Sequence, residues 1–230
     1  GAAAPASASS GMLRRYQRSS EETARAGVCH PESMIPQDRH VPERLLLARH
    51  GQTVWNVEHR LQGQLNSPLT DEGVAQARRI AERLAGAGVL TVCSSPLGRA
   101  LQTAVIIADR LGADVIEVPE LSEVHHGELA GMTWEEIDEV YPTAREERAA
   151  NRYGWAFPGG ESYAQARARA RKALSTCGWA SDGVPLLVSH EMIGRMLRAE
   201  LRGLDAPSAL GLRHPHGVVF EIDRTSERML

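Results

Sequence analysis

The chain has 230 residues, of which 42% are hydrophobic and 24% are charged. This length and composition are typical of a soluble globular protein with one substantial core. The net charge of −3 excludes a general attraction to nucleic acid or anionic lipid, so any anion binding must come from locally clustered arginines. We therefore expect a small-molecule partner, and neither nucleic acid nor a membrane.

The N-terminal part of the chain differs in composition from the rest. Residues 1–11 are almost all Ala, Ser, Gly and Pro, which is typical of a linker or an expression remnant, and Met12 fits a natural start. The chain stays polar up to residue 42, and its arginines are not followed by the apolar stretch of a secretory signal. We predict an extension over residues 1–42 and one folded domain over residues 43–230.

The cysteines indicate a reducing compartment. They are odd in number, far apart in sequence and without CxxC or metal-ligand spacing: Cys29, Cys93 and Cys177. We expect reduced thiols in a cytoplasmic protein.

Strand and helix signals alternate from residue 45 onward. Short apolar runs predict strands at 45–48, 90–93, 115–118, 185–189 and 218–222. Apolar residues recur at helical spacing over 71–84, 97–111, 162–174 and 193–201. Helices between successive strands favour right-handed crossovers, and so a three-layer α/β/α fold whose mostly parallel central sheet has helices on both faces.

Capping residues set the predicted helix boundaries. Thr70 precedes two acids, as expected of an N-cap. The segment 94–96 (SSP) predicts that the next helix starts with a serine cap and a proline at its first position, and Gly112 would end it. Thr133 and Glu136 have the spacing of a capping box.

The first predicted strand ends in a cation and an imidazole. Residues 45–56 read LLLARHGQTVWN, so Arg49 and His50 follow the buried run and Gly51 is expected to permit a sharp turn. Open α/β sheets bind ligands at the carboxyl ends of their strands, so this pair predicts an anion site. The alternative is that Arg49 is a surface charge and His50 a capping residue.

Three other strand ends carry similar chemistry. Arg99 lies in the first turn of the helix after the second strand, where backbone N–H groups already favour an anion. His190 follows the strand at 185–189, and Glu123 follows the strand at 115–118. Because parallel strands end at the same edge, we expect these side chains to converge with Arg49 and His50.

Five segments, in order, resemble the motifs of the histidine phosphatase superfamily, also called the phosphoglycerate mutase-like family. They are RHGQTVWN at 49–56, SSPLGRALQTA at 94–104, ELSEVHHGELAG at 120–131, PGGES at 158–162 and VSHEMIGR at 188–195. The similarity spans about residues 44–222. It implies the same three-layer fold, with a short helical cap inserted at about 124–158.

The resemblance implies a role for each residue at this edge. His50 would attack phosphorus and form a phosphohistidine, and Glu123 would protonate the leaving oxygen, with its pKa raised by the bound phosphate. The phosphoryl oxygens would be held by Arg49, Arg99, His190 and Asn56. The arginines would keep the imidazole of His50 neutral. Because these groups supply the electrostatic stabilisation that Mg²⁺ gives elsewhere, no metal or other cofactor is expected.

Some positions depart from the family pattern or match it loosely. Glu191 stands where the family usually has glycine; its backbone N–H can still point at the phosphate, but its carboxylate must turn away or weaken phosphate binding. Asn66 replaces a frequent aspartate. Gln62 and Gly63 match a loop that approaches the phosphate in the family, with the backbone as the expected contact.

Other polar residues have structural explanations. His125 and His126 are expected on the surface. His214 and His216 flank a proline, and without a third ligand nearby a metal pair is disfavoured. The remaining groups predict a turn with a helix N-cap at 161–162 and a solvated helix face at 145–148.

The cap favours hydrolysis over a mutase reaction. The family's mutases hold phosphoglycerate with a tyrosine three residues after the acid and a lysine eleven after it, where this chain has His126 and Trp134. Glu123 and His190 are only 67 positions apart, which leaves a short cap, as in the phosphatase branch. Aromatic and basic residues of the cap would suit a small phosphorylated sugar, alcohol or acid: Trp134, Tyr153, Trp155, Phe157, Arg145, Arg148 and Arg152.

The resemblance therefore predicts a metal-independent phosphomonoesterase acting on a small phosphorylated metabolite through a phosphohistidine. Two alternatives stay open, a phosphoglycerate mutase-type transfer and a non-catalytic phospholigand-binding protein, for which Glu191 is the one sequence hint. The sequence leaves the oligomeric state undecided, and a homodimer is compatible with it.

Overall fold

The computed structural model describes residues 44–177, 183–223 and 226–230, so the predicted N-terminal extension lies outside the described residues. The strands are, in chain order, β1 (Arg44–Arg49), β2 (Thr91–Ser94), β3 (Asp114–Glu117), β4 (Leu186–Ser189), β5 (Val219–Asp223) and β6 (Glu227–Met229). They form one sheet in the order β3-β2-β4-β1-β5-β6. The first four in this order pair in parallel, and β5 pairs antiparallel with β1 and β6. The predicted mostly parallel sheet is confirmed.

Helices connect and cover the strands. They are α1 (Val54–Val57), α2 (Asp71–Arg83), α3 (Gly98–Leu111), α4 (Trp134–Val140), α5 (Ala144–Ala150), α6 (Tyr163–Thr176), α7 (Glu191–Leu201) and α8 (Ala206–Gly211). The predicted N-caps accept the expected backbone hydrogen bonds at Thr70, Thr133 and Ser162. Gly112 ends α3 in the left-handed conformation, as its position predicted.

The sheet has a hydrophobic core on each face because neighbouring side chains of a strand point to opposite sides. Leu45 and Leu47 of β1 pack in one core together with residues of α6 and α7. Leu46 and Ala48 pack in the other core together with residues of α2 and α3. The three-layer α/β/α arrangement is therefore confirmed, with the carboxyl ends of β1, β2, β3 and β4 at one edge.

The start of α3 differs from the prediction. The helix begins at Gly98, its N-cap is Leu97, and no side chain caps it. The hydroxyl of Ser95 accepts a hydrogen bond from the Leu97 N–H at 3.2 Å and lies 2.8 Å from Nε2 of His190. The serine cap with proline at the first position was wrong because Ser95 is engaged by a histidine from a neighbouring strand end.

Gly51 is required for close packing and not for a left-handed turn. A Cβ atom at Gly51 would lie 2.3 Å from the carbonyl oxygen of Gly73 in α2, and a Cβ at Gly73 would lie 2.1 Å from that of Gln52. Positive φ angles occur at other glycines of the described chain. The two glycines let the loop after β1 lie directly against α2.

The cap turns one predicted surface residue inward. His125 is exposed, but His126 is only 8% exposed, so the surface prediction was wrong for His126. Gly127 follows with a φ of 53°, and a Cβ there would lie 1.8 Å from the Pro158 carbonyl oxygen. This close contact between the ends of the cap turns the His126 ring against Phe157, with their centroids 4.4 Å apart.

In the part of the chain that the structure describes, no helix is long and apolar enough to cross a membrane. Cys93 and Cys177 are buried and form no disulfide, and Cys29 lies outside the described residues. The cytoplasmic location stays a prediction.

Candidate active site

The parallel strands bring the predicted residues to one edge of the sheet. Arg49 ends β1 and His50 follows it, while the His50 N–H donates to the carbonyl oxygen of Ser189 at the end of β4. Ser95 follows β2, and its N–H donates to the Val188 carbonyl oxygen of β4. The strand ends are thus tied to each other by backbone hydrogen bonds, which fixes the side chains that follow them.

His50 has one unprotonated ring nitrogen. Its Nδ1 lies 2.7 Å from the Gly51 carbonyl oxygen, which can only accept, so Nδ1 carries the proton. Nε2 accepts a hydrogen bond from Nε of Arg99 at 3.2 Å. Burial lowers the pKa of His50 well below its ordinary value, and His190 and the two arginines lower it further. The ring is therefore neutral at neutral pH, with Nε2 as the available nucleophile.

Arg99 is a buried cation without a carboxylate hydrogen-bond partner among the described residues. It is 1% exposed, and its terminal nitrogens donate to the carbonyl oxygens of Leu65 and Gly63, both at 2.7 Å. Burial lowers the pKa of Arg99 to about 10, so it stays charged at neutral pH. Its positive charge lies beside the nucleophilic nitrogen, where a phosphoryl group would balance it.

His190 has a ring nitrogen without a hydrogen-bond partner in the described residues. Its ring centroid lies 5.0 Å from that of His50, and its Nε2 is paired with the Ser95 hydroxyl. Nδ1 is buried and has no hydrogen-bond partner in the described chain. Burial and the nearby arginines lower the pKa of His190 well below its ordinary value. A neutral histidine with a buried free nitrogen fits the predicted contact to a phosphoryl oxygen.

Arg49 and Glu191 form an ion pair at the site. A carboxylate oxygen of Glu191 accepts from a terminal nitrogen of Arg49 at 2.8 Å, and the other oxygen accepts from Arg195 one helical turn on. Nε of Arg49 is buried without a partner in the described residues. Glu191 therefore partly neutralises the cation that the family pattern assigns to phosphate, and it does not turn away from it.

Glu123 lies over the start of α7. Its carboxylate accepts from the backbone N–H groups of Met192 and Ile193, both at 3.2 Å, and of Val124 at 2.9 Å. It is 8% exposed and lies close enough to Arg49 and Arg99 to offset part of the lowering of their pKa by burial. This placement brings a carboxyl group near the two arginines of the site, and its role as the proton donor stays a prediction.

The loop residues that were predicted to contact phosphate form hydrogen bonds with other groups of the protein. Gln62 donates to the Thr53 hydroxyl at 2.7 Å, and Asn56 accepts from the Thr53 N–H and hydroxyl in a capping box. The carbonyl oxygen of Gly63 binds Arg99, and the side chain of Asn66 accepts from the Arg99 N–H at 3.0 Å. Direct phosphate contacts of Asn56, Gln62 and Gly63 stay predictions.

Sequence reasoning missed His216. Its Nδ1 lies 2.7 Å from the His50 carbonyl oxygen, and the two rings meet edge to face with centroids 5.3 Å apart. Burial lowers the pKa of His216 to about 4. The chain there turns into β5, antiparallel to β1, which carries His216 back to His50. No motif signals this role, and no metal-ligating cluster is found in the described residues.

A sequence profile described as histidine phosphatase superfamily (branch 1) matches residues 45–229. The chain belongs to the histidine phosphatase superfamily. This membership confirms the family inferred from the five motifs.

Relatives of this chain within the superfamily include a protein named as a mutase and proteins named as phosphatases. A probable phosphoglycerate mutase from Yersinia pestis is 37% identical over 171 residues, 74% of this chain and 80% of the relative. A mycobacterial glucosyl-3-phosphoglycerate phosphatase, solved with VO3, is 33% identical with a TM-score of 0.67, covering 82% of this chain and 97% of that one. A putative alpha-ribazole-5'-P phosphatase from Escherichia coli is 25% identical with a TM-score of 0.73, covering 79% and 91%.

We expect the Arg99→Lys variant to lose about 10- to 100-fold in kcat/KM. Lysine keeps the charge, but it cannot reach two carbonyl oxygens and a phosphoryl oxygen as the guanidinium fork does. Steady-state kinetics on p-nitrophenyl phosphate measure the effect, with Arg79→Lys on the exposed face of α2 as the control. Equal kcat/KM for Arg99→Lys and wild type would place Arg99 outside the phosphate site.

We expect Glu191→Gln to bind inorganic phosphate about three- to tenfold more tightly. The substitution removes a negative charge next to Arg49, and the effect is modest because the Glu191 side chain is 34% exposed. The measurement is the inhibition constant of phosphate, with Glu72→Gln on α2 as a remote control that also breaks an arginine pair. Weaker phosphate binding in Glu191→Gln would mean that the carboxylate instead positions Arg49 for the substrate.

The neutral histidines make stability depend on pH. Burial lowers the pKa of His50, His190 and His214 well below 6.5, and that of His126 to about 3. The unfolded chain binds protons at these groups as the pH falls below 6.5, while the folded chain does not. We therefore expect the free energy of unfolding to fall by about 1 kcal/mol per such histidine from about pH 7.5 to about pH 5.5.

Urea unfolding at the two pH values measures this loss. Replacing His214 by Gln should remove about one histidine's share, because His214 is 1% exposed, whereas replacing the exposed His125 should leave the difference unchanged. An unfolding free energy that does not change over this range would contradict neutral buried histidines.

Proposed function

We propose that this protein is a metal-independent phosphomonoesterase that hydrolyses a small phosphorylated metabolite through a phosphohistidine at His50. The observation that carries the proposal is the hydrogen bond between Arg99 and Nε2 of His50, in which a fixed cation identifies the unprotonated nitrogen of a buried imidazole. A neutral nucleophile beside a desolvated cation is suited to attack a phosphate ester.

In the first step, Nε2 of His50 bonds to phosphorus and the bond from phosphorus to the ester oxygen breaks. Glu123 gives its proton to that oxygen, so an alcohol leaves and Glu123 becomes a carboxylate. Arg99 moves its Nε donor from the imidazole to a phosphoryl oxygen, while Nδ1 of His190 and Nε of Arg49 supply further donors. The retained hydrogen bond to Gly51 stabilises the ring as it gains positive charge.

In the second step, Glu123 accepts a proton from water as the water oxygen attacks phosphorus. The bond from phosphorus to Nε2 breaks, inorganic phosphate leaves, and both His50 and Glu123 return to their starting protonation states. The same arginines hold the phosphoryl oxygens in both steps, which reduces the reorganisation that each step requires.

Two features of the cap support hydrolysis over a mutase reaction. His126 and Trp134 stand where family mutases have tyrosine and lysine, and the α-helices of the cap in the described chain are two short ones, α4 and α5. One relative is named a probable phosphoglycerate mutase, so a mutase reaction on phosphoglycerate is the alternative to test.

Two assays test the proposal. Purified protein treated with a chelator should release p-nitrophenol from p-nitrophenyl phosphate, and ³¹P NMR with 3-phosphoglycerate should detect inorganic phosphate as the only new phosphorus species. Formation of 2-phosphoglycerate would indicate a mutase. Binding of phosphate without turnover of any ester would indicate a phospholigand-binding protein.

A further inference from the structure

Arg169 of α6 binds the backbone of the loop that carries Glu123. One terminal nitrogen donates to the carbonyl oxygens of Glu120 at 2.8 Å and Ser122 at 2.6 Å, and the other donates to that of Glu123 at 3.2 Å. The Arg169 side chain is only 20% exposed, so water competes little for these bonds. One side chain thus holds three carbonyl oxygens at and just before the proposed proton donor.

Glu161 pairs with Arg169 and binds the same loop beyond Glu123. Its carboxylate accepts from Nε and a terminal nitrogen of Arg169 at 2.9 and 2.8 Å, and also from the His125 N–H at 2.9 Å. The Glu161 N–H donates in turn to the His125 carbonyl oxygen at 2.8 Å. Sequence reasoning assigned Glu161 only to a turn before the Ser162 N-cap and missed this ion pair. The two side chains therefore bind the loop on both sides of Glu123.

The guanidinium of Arg169 has no donor left for a ligand. A guanidinium carries five N–H groups in a fixed plane, and the hydrogen bonds to Glu161 and to the three carbonyl oxygens use all of them. Arg169 differs in this respect from Arg49, whose Nε is buried without a partner in the described residues. Arg169 is therefore placed to orient the loop and not to bind a phosphoryl oxygen.

Close backbone packing joins the two ends of the cap next to this loop. A Cβ atom at Gly160 would lie 2.2 Å from the His125 carbonyl oxygen, so the two backbones are in direct contact. The Glu128 N–H donates to the Pro158 carbonyl oxygen at 2.8 Å. The position of Glu123 therefore depends on how both segments are anchored to α6.

Glu123 is held at its backbone and at its carboxylate by different helices. Arg169 on α6 binds its carbonyl oxygen, while the N–H groups of Met192 and Ile193 at the start of α7 bind its carboxylate. A proton donor must lie within hydrogen-bond distance of the oxygen that it protonates, and a displacement of about 1 Å costs up to about 10²-fold in rate. The anchoring of this loop therefore bears directly on proton transfer.

We propose that Glu161 and Arg169 are positioning residues for proton transfer, which hold the loop so that the carboxyl group of Glu123 reaches the leaving oxygen. The inference rests on the proposed function, because it concerns the proton donor of that reaction. Loosening the pair should slow protonation of the leaving group and leave phosphate binding in place.

Two matched esters test this inference. p-Nitrobenzyl phosphate and p-nitrophenyl phosphate differ in one CH₂ group, but the first releases an alkoxide, which needs a proton, and the second a stable phenolate. In single-turnover kinetics, Arg169→Lys should slow phosphorylation by the benzyl ester about 10- to 100-fold, and by the phenyl ester less than about threefold. Lysine keeps the positive charge, which also acts on His190, but it cannot reproduce the five-donor fork.

A double-mutant cycle separates positioning from a general structural role. Because Arg169 is proposed to act through Glu123, Arg169→Lys should add less than about threefold to the loss that Glu123→Gln already causes on the benzyl ester. Glu161→Gln, which keeps the size of its side chain, should show the same ester dependence and the same absence of a further loss. Thermal unfolding of each variant checks that the fold is kept.

Arg167→Lys is the matched control. Arg167 also lies on α6, its side chain is 16% exposed, and it pairs with Glu200 and donates to the Leu204 carbonyl oxygen, outside the loop of Glu123. This variant should leave the rates on both esters unchanged.

The outcomes distinguish the inference from the proposed function. Equal effects on the two esters in Arg169→Lys and Glu161→Gln, including no effect, would overturn the inference while phosphatase activity remains. A full additional loss in the Glu123→Gln background would overturn it as well. Absence of turnover by the wild type, or of ester dependence in Glu123→Gln itself, would instead contradict the proposed function.

Discussion

His50→Ala is expected to lose at least about 10⁴-fold in kcat on p-nitrophenyl phosphate while keeping the fold of the wild type. The neighbouring His190 is not expected to replace the nucleophile, because its Nε2 is paired with Ser95 and its Nδ1 acts as a donor in the proposed mechanism. The cavity left by the imidazole costs some stability, but the backbone hydrogen bond from residue 50 to Ser189 remains.

Steady-state kinetics and thermal unfolding together measure this effect. His125→Ala is the control, because it removes an exposed histidine of the cap and should keep full activity. His50→Ala activity within about tenfold of wild type would show that another group attacks phosphorus.

Glu123→Gln is expected to lose about 10²- to 10⁴-fold in the phosphorylation step on an alkyl phosphate, and much less on p-nitrophenyl phosphate. An alkoxide leaves poorly without a proton, whereas p-nitrophenolate is a stable leaving group. Glutamine keeps the size of the side chain and one oxygen, which can accept from Ile193 and Val124 as Oε1 of Glu123 does, whereas the Met192 N–H loses its acceptor Oε2.

Single-turnover kinetics with both esters separate the steps. Glu128→Gln is the matched control, since it is an exposed carboxylate five residues along the same loop. Equal losses on the two esters in Glu123→Gln would remove the acid role from Glu123. A leaving-group dependence in Glu128→Gln would instead assign that role to Glu128.

The residues that could be predicted from the sequence are those fixed by local pattern and strand order. The apolar run before Arg49 and His50 defines β1, and the position of Arg99 in the first turn of α3 follows from the strand and helix signals around it. Because parallel strands end at one edge, element order alone brings Arg49, His50, Arg99 and His190 together.

The features that were missed depend on contacts between segments distant in sequence. Ser95 pairs with a histidine 95 positions away, and His216 reaches the carbonyl of a residue 166 positions before it. Each segment has an ordinary local pattern, so capping rules assigned Ser95 to a helix start. The sequence singled out Glu191, but its pairing with Arg49 depends on how α7 meets the end of β1.

The central claim is that a phosphoryl group is bonded to His50 during turnover. Glu123→Gln should form this intermediate from p-nitrophenyl phosphate and hydrolyse it slowly, because activation of water is impaired. A rapid alkaline quench of this variant, followed by mass spectrometry of its peptides, tests the claim most directly. We predict an acid-labile phosphoryl group on His50 that is absent when His50 is also replaced by Ala. A phosphoryl group on another residue, or p-nitrophenol released in a burst with none on the protein, would contradict it.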